Sequence, residues 1–188
     1  MDKIHFVKGK IEEVIQGSSV PEDPIHSKNT LKWLLKLKPD ADEGLKLAAL
    51  GHDIERAIEK QKVRRKDFKD YDVFKDAHAL NSAKILAEIM QECNISKTLI
   101  DKVYFLVRHH ETGGTKLVDI LKDADSISYF DVNLPRYFVR NDLKETKRRC
   151  LWGYKRLSDK GKRIVTGFDY KNKELNTLMS DCIEESER

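Results

Sequence analysis

The sequence of 188 residues lacks long apolar runs, paired cysteines and an apolar leader. No stretch approaches the roughly 18 consecutive apolar residues that a transmembrane helix needs. The first six residues are not followed by the apolar segment of a secretory signal. Cys93, Cys150 and Cys182 are odd in number, widely spaced and without a CxxC pair, which favours a reducing compartment. We therefore expect a cytoplasmic protein without a membrane partner.

Glycine and proline are also scarce, at nine and four residues, and 36% of the residues are charged. Almost every apolar segment repeats at a spacing of three to four residues, which is typical of helices. The predicted helices cover a first segment ending before Gly17 and then 25–38, 43–58, 72–94, 97–110, 115–130, 135–158 and 171–185. Asp40 or Asp42 is the predicted cap of the third helix, and the charged residues 59–71 are predicted as a loop or irregular helix. The fold class is all-α, with about seven helices or more.

Histidines and aspartates fall on the apolar faces of several predicted helices. His52 follows Ala48 by four residues and Leu45 by seven, and His110 continues an apolar series at spacings of four, three and four. His26, His78 and Asp125 occupy comparable positions on three other helices. Buried His and Asp are costly unless they are paired or bound to a metal ion. Their convergence therefore predicts a metal site.

The donor types restrict the metal. Neutral imidazole nitrogens and carboxylate oxygens without a thiolate suit Mn, Fe, Co, Ni or Zn, and Mg is also possible. A carboxylate can bridge two ions, so we expect one or two divalent ions.

The order of these residues resembles the HD-domain superfamily of metal-dependent phosphohydrolases. Three stretches carry the resemblance: LAALGHDIERA at 47–57, LVRHHETGG at 106–114 and ILKDADSIS at 120–128. It covers an HD core of about residues 20–130. Residues 131–188 are then a helical extension of a single HD-like domain spanning 1–188.

The resemblance implies which residues bind metal. His26, His52, Asp53 and Asp125 match the ligands of one ion. His78 and His110 match the added ligands of two-metal members, in which Asp53 bridges the ions. His52 and Asp53 are thereby also the expected catalytic residues. His109 is an alternative to His110 as a ligand. Asp123 is interpreted either as a solvated acid or as an acid that contacts the ligands without binding the metal.

The resemblance further implies hydrolysis of a phosphoester in a nucleotide or another small phosphorylated compound. Single-metal nucleotidases carry a catalytic glutamate three residues after the His-Asp aspartate, where this chain has Arg56. Glu55 lies one residue earlier, and Glu111 is a weaker candidate base. A metal-activated hydroxide between two ions attacks phosphorus without such a base.

Cationic side chains near the ligands are candidates for binding phosphate. Arg56 and Arg65 are favoured because a guanidinium grips phosphate with two parallel hydrogen bonds. Arg64 and Lys75 are further candidates, and Arg108 and Lys122 flank later ligands. Tyr71 and Phe74 are candidates for stacking on a base.

Two alternatives stay open. The same ligands would serve a di-iron oxygenase of the HD type. A non-catalytic protein is the other possibility, because residues 136–163 hold eleven Lys or Arg against three acids within a chain of net charge +4. Such a segment favours a nucleotide or nucleic-acid partner, although a small phosphorylated substrate is preferred over nucleic acid. Both a monomer and a homodimer through residues 130–188 are compatible with the sequence.

Overall fold

The computed structural model describes residues 2–187, and it contains ten α-helices. They are α1 (Lys3–Gln16), α2 (Asp23–Leu37), α3 (Glu43–Gly51), α4 (Tyr71–Glu92), α5 (Lys97–His109), α6 (Lys116–Ser128), α7 (Leu134–Arg140), α8 (Leu143–Arg156), α9 (Asp159–Thr166) and α10 (Lys173–Glu187). Short 3-10 helices occur at Ile54–Ala57 and Arg65–Asp67, and a π-helical turn at Tyr129–Asn133. No strand occurs between residues 2 and 187. The predicted all-α class is confirmed.

Side-chain caps fix where several helices begin. Asp42, Asp70 and Asp142 each accept a backbone N–H from the first turn of the following helix. The prediction of Asp42 as the cap of α3 is confirmed. At the other end of α4, Asn94 adopts a left-handed backbone with φ of 53°, a conformation in which asparagine commonly ends a helix.

Two predicted helices are shorter than their apolar pattern indicates. The helix predicted over 43–58 ends at Gly51, and residues 54–57 turn more tightly as a 3-10 helix. The helix predicted over 135–158 divides because Asn141 is extended and Asp142 caps a new helix. In addition, α9 was not predicted, and it begins where the Ser158 side chain accepts the Gly161 N–H.

The core packs α2 against α6 and α4 against α5, with α3 in contact with both α2 and α5. Leu47 and Leu50 of α3 and Leu121 of α6 are almost completely buried in it. At the end of α3, Gly51 lies close to a side chain of α4, since a Cβ added to Gly51 would lie 2.9 Å from Leu86 Cδ2. Helices α2 to α6 thus surround a common interior.

The carboxyl-terminal helices share this core. Tyr154 of α8, Leu175 and Cys182 of α10 are buried, and both α8 and α9 pack against α6. The basic helix α8 therefore lies beside the helix that carries Asp125. None of the helices between residues 2 and 187 combines the length and apolar character needed to cross a membrane.

Candidate metal centre

Seven ionisable side chains from five parts of the chain converge in the interior. They are His26 of α2, His52 and Asp53 of the turn after α3, His78 of α4, His110 and Glu111 at the end of α5, and Asp125 of α6. Their ligand atoms form two groups, and within each group the atoms lie within 4.8 Å of one another. One group contains His26, His52 and Asp125; the other contains Asp53, His78, His110 and Glu111.

The first group centres on the carboxylate of Asp125. Its Oδ1 lies 3.1 Å from His26 Nε2 and 3.4 Å from His52 Nε2. The two imidazole Nε2 atoms are 3.2 Å apart. Asp53 closes this group from the other side, at 3.9 Å from His26 Nε2 and 3.7 Å from His52 Nε2.

The second group extends from the same aspartate. Asp53 Oδ1 lies 2.7 Å from His78 Nε2 and 3.8 Å from His110 Nε2. Glu111 Oε1 is 3.3 Å from His110 Nε2. Asp53 thus stands between the two groups, which is where a carboxylate that bridges two ions would be.

All four imidazoles present Nε2 to the centre and bind elsewhere through Nδ1. The Nδ1 partners are Ser128 Oγ for His26 at 2.9 Å, Ala49 O for His52 at 3.0 Å, Glu55 Oε1 for His78 at 2.6 Å, and Val107 O for His110 at 2.6 Å. Metal-binding histidines usually have their second ring nitrogen held in this way, which fixes the tautomer and the ring orientation.

One buried atom tests whether a metal ion fits. His110 Nε2 faces the cluster, is completely buried and has no hydrogen-bond partner. A buried polar atom without a partner is costly, and a cation at the centre would supply one. The donors are imidazole nitrogens and carboxylate oxygens, which suit divalent transition metals. The residues fit one or two such ions.

The surroundings of the cluster favour the ionised form of its carboxylates, Asp53, Glu111 and Asp125. Burial would raise the pKa of Asp53, but His52 and His78 outweigh it and hold that pKa well below its usual range. Burial would likewise lower the pKa of His52, yet the charges of Asp53 and Asp125 raise it to about 9. The interior therefore favours positive charge, whether on imidazole protons or on a metal ion.

The two candidate bases of the sequence, Glu55 and Glu111, occupy different parts of the site. Glu55 is buried and contacts His78 on the Nδ1 side, away from the centre, while its other oxygen accepts the Val63 N–H at 2.7 Å. It is placed to orient His78. Glu111 instead lies in the ligand cluster, paired with Lys75 and with Arg156 at 2.7 Å.

His109 and Asp123 lie outside the cluster. The His109 ring packs on Phe105 at 4.7 Å between centroids, so the structure brings His110 rather than its neighbour to the ligands. Asp123 is buried, so of its two interpretations the solvated acid is wrong. Its carboxylate accepts the Ser158 N–H at 2.8 Å and the Ser158 hydroxyl.

A cavity of about 460 Å³ opens beside the cluster and reaches His78. All four predicted phosphate-binding residues line it: Arg56, Arg64, Arg65 and Lys75. Tyr71 and Phe74 line it as well. Arg108 is paired with Asp76 and Lys122 with Asp119, and neither lines this cavity.

Helix α8 supplies two residues that sequence reasoning missed. Arg156 contacts Glu111 and, at 3.4 Å, Asp125 Oδ2. Arg149 lines both the large cavity and a smaller one bounded by His26, Asp53 and Asp125. The charge of residues 136–163 was the available signal, but it did not indicate which arginines face the interior.

Comparison with known proteins places the chain in a family. No curated protein and no solved structure matches the sequence. A family model described as "Domain of unknown function (DUF4202)" matches residues 1–178. The match covers most of the chain, and the protein therefore belongs to the DUF4202 family.

Proposed function

We propose that the protein is a metal-dependent phosphohydrolase of the HD type that acts on a nucleotide or another small phosphorylated compound. The observation that carries the proposal is the two adjacent ligand groups, with Asp53 of one group within 3.9 Å of the histidines of the other, beside a cavity lined by cations. This combination suits a reaction in which a metal centre and positive side chains act on one phosphoryl group.

Bound divalent ions would lower the pKa of a water molecule and polarise a phosphoryl oxygen. The protein side chains do the positioning. Arg56 is held by Asp23 at 2.8 Å and by Asp53 at 3.1 Å, and it lines both cavities. Lys75 is held by Glu111 and also lines both cavities. These two fixed cations are suited to stabilising charge that develops on the phosphoryl oxygens.

Glu111 is suited to a role as a metal ligand. Burial would raise its pKa, but Arg156 and Lys75 outweigh burial and hold that pKa far below the usual range. Such a carboxylate is a weak base and is not a proton donor at neutral pH, so binding a cation is the role that its surroundings favour.

Elemental analysis and a phosphatase panel test the proposal. The protein as isolated should contain a transition metal, and it should release phosphate from nucleoside monophosphates or related compounds with Mn, Co, Ni, Mg or Zn added. Asp53→Ala removes the carboxylate that lies between the two ligand groups, so it should abolish both metal content and activity. Asp101→Ala is the matched control, because Asp101 is exposed and paired with Lys97. Full activity in Asp53→Ala would overturn the proposal.

The same samples separate the alternatives. Oxygen consumption by an iron-loaded protein, without phosphate release, would contradict the proposal and favour the di-iron oxygenase. Nucleic-acid binding that falls steeply with salt would favour the non-catalytic alternative. Four of the eleven basic side chains of residues 136–163 form ion pairs within the protein: Arg140, Lys147, Arg148 and Arg156. Arg149 of the same segment lines both cavities, which supports the small substrate.

A further inference from the structure

Two guanidinium groups in the large cavity have no carboxylate partner. Seven cations line this cavity, and five of them form ion pairs: Arg56, Lys62, Arg64, Lys75 and Arg148. Arg149 of α8 and Arg65 of the second 3-10 helix form none with the described residues. Both lie against the ring of Tyr71, with their guanidinium carbons 5.2 and 5.6 Å from its centroid. The two cations therefore share one aromatic platform.

Arg149 is the more costly of the two to leave unpaired. Its guanidinium lies 5.7 or 5.8 Å from the ring centroids of Tyr129, Tyr137 and Trp152, besides Tyr71. Burial, followed by repulsion from Arg56 and Arg156, lowers the pKa of Arg149 to about 10. A desolvated cation held beside like charges is unfavourable without a counter-charge.

The acids of the cavity do not provide that counter-charge. Glu55 is occupied by His78 and the Val63 N–H. Glu145 accepts the Tyr137 hydroxyl at 2.7 Å and binds Arg148 through both oxygens, each at 2.7 Å. No carboxylate among the described residues forms an ion pair with Arg149, and an anionic ligand in the cavity would supply its counter-charge.

The position of Arg149 relates this ligand to the metal centre. Arg149 lines the small cavity together with Asp53 and Asp125, and the large cavity together with Arg65. A group bound between Arg149 and Arg65 would lie in the large cavity, next to a phosphoryl group that reacts at the metal centre. The volume of about 460 Å³ is within the range typical of small-molecule sites.

We propose that Arg149 and Arg65 bind a second phosphate group of the substrate, so that the substrate class is a small compound with two phosphate groups. One group is at the metal centre and the other is beside the Tyr71 ring. Guanidinium groups are well matched to phosphate because they donate two parallel hydrogen bonds to it. The assignment of this second group to a substrate rests on the proposed function.

Phosphate binding to the metal-depleted protein tests the site independently of hydrolysis. In calorimetric titrations with inorganic phosphate, Arg149→Gln and Arg65→Gln should each weaken binding roughly tenfold or more, since each removes a charge-assisted contact. Arg163→Gln is the matched control, because Arg163 is exposed and lines neither cavity. Arg149→Lys, which keeps the charge, should retain more affinity than Arg149→Gln and guards against a folding defect. Phosphate binding that is absent in the wild type or unchanged in Arg149→Gln would overturn the site.

The metal-loaded enzyme tests the substrate class. Its kcat/KM should be at least about tenfold higher for a nucleoside 3′,5′-bisphosphate or 5′-diphosphate than for the matching 5′-monophosphate. This preference should disappear in Arg149→Gln and persist in Arg163→Gln. Equal kcat/KM values for all three compounds would overturn the proposed substrate class. Arg149-dependent phosphate binding without any phosphate release would contradict the proposed function while supporting the anion site.

Discussion

Asp123 and Asp125 lie two residues apart on α6, yet their contacts differ completely. Asp125 contacts His26 and His52 in the candidate metal centre. Asp123 instead binds Ser158, and Ser158 caps α9 by accepting the Gly161 N–H at 3.2 Å. We therefore expect Asp123→Ala to reduce stability without loss of metal, and Asp125→Ala to reduce metal binding.

The size of the stability effect follows from the two hydrogen bonds that Asp123 accepts. A hydrogen bond to a charged group is worth about 1.5–3 kcal/mol. Ser158 is exposed, so water can replace part of the hydrogen bonding that Ser158 loses when the Asp123 carboxylate is removed. This favours the lower end of that range for each bond. Two such bonds at the lower end should lower the free energy of unfolding by about 3 kcal/mol in total. In a chain of this size each kcal/mol lowers Tm by about 2–4 °C, so Tm should fall by about 6–12 °C.

Thermal denaturation followed by circular dichroism measures this change, and it is done on metal-depleted protein because a bound ligand itself raises Tm. Elemental analysis of both variants as isolated completes the comparison. Asp123→Ala should keep the wild-type metal content, whereas Asp125→Ala should lose most of it. A Tm within about 1 °C of the wild type in Asp123→Ala would refute the hydrogen-bond argument. Loss of metal in Asp123→Ala but not in Asp125→Ala would refute the assignment of the site.

Two further variants test the support of the centre and the packing of α3. Glu55→Gln weakens the hydrogen bond that orients the His78 imidazole, so the metal affinity measured by calorimetry should fall about 10–100-fold. Glu59→Gln is the control and should leave the metal affinity unchanged, because Glu59 is exposed. Gly51→Ala forces a methyl group against Leu86 and should lower the free energy of unfolding, measured by chemical denaturation, by about 1–3 kcal/mol. Gly9 lies at an open and exposed helix position, so Gly9→Ala should raise that free energy by up to about 1 kcal/mol. Equal effects of the two substitutions would contradict the packing argument.

The convergence of His52, His78, His110 and Asp125 was predictable because each continues a local apolar pattern. Asp53 was indicated by the HD resemblance instead, and Glu111 was predicted only as a candidate base. His52 follows Leu45 and Ala48 on the buried face of α3, and the structure buries all three. The same pattern places His110 after Leu106 at the buried end of α5. Helical periodicity determines which side of a helix faces inward, so residues on that side converge when the helices pack.

The contribution of α8 was not predictable in this way. Arg149 and Arg156 belong to a segment rich in charge, and a charged helix face is usually solvated. Which arginines face the interior depends on how α8 packs against α6, a contact between distant parts of the chain. Local patterns also missed the break at Asp142, because a capping side chain competes with an otherwise continuous helical pattern.

The charge balance of the site connects metal binding with substrate binding. Three carboxylates of the ligand cluster are each paired with a cation: Asp53 with Arg56, Glu111 with Lys75 and Arg156, and Asp125 with Arg156. A divalent ion added to this nearly balanced set leaves the site positive, and Arg149 adds to the excess. A phosphate group carries about −1.5 to −2 charges at neutral pH, so it offsets that excess. Metal and phosphate should therefore strengthen each other's binding by the same factor, as linkage requires. Calorimetric titration of phosphate with and without metal measures that factor, and equal affinities in the two states would show that the ion and the anion do not share this site.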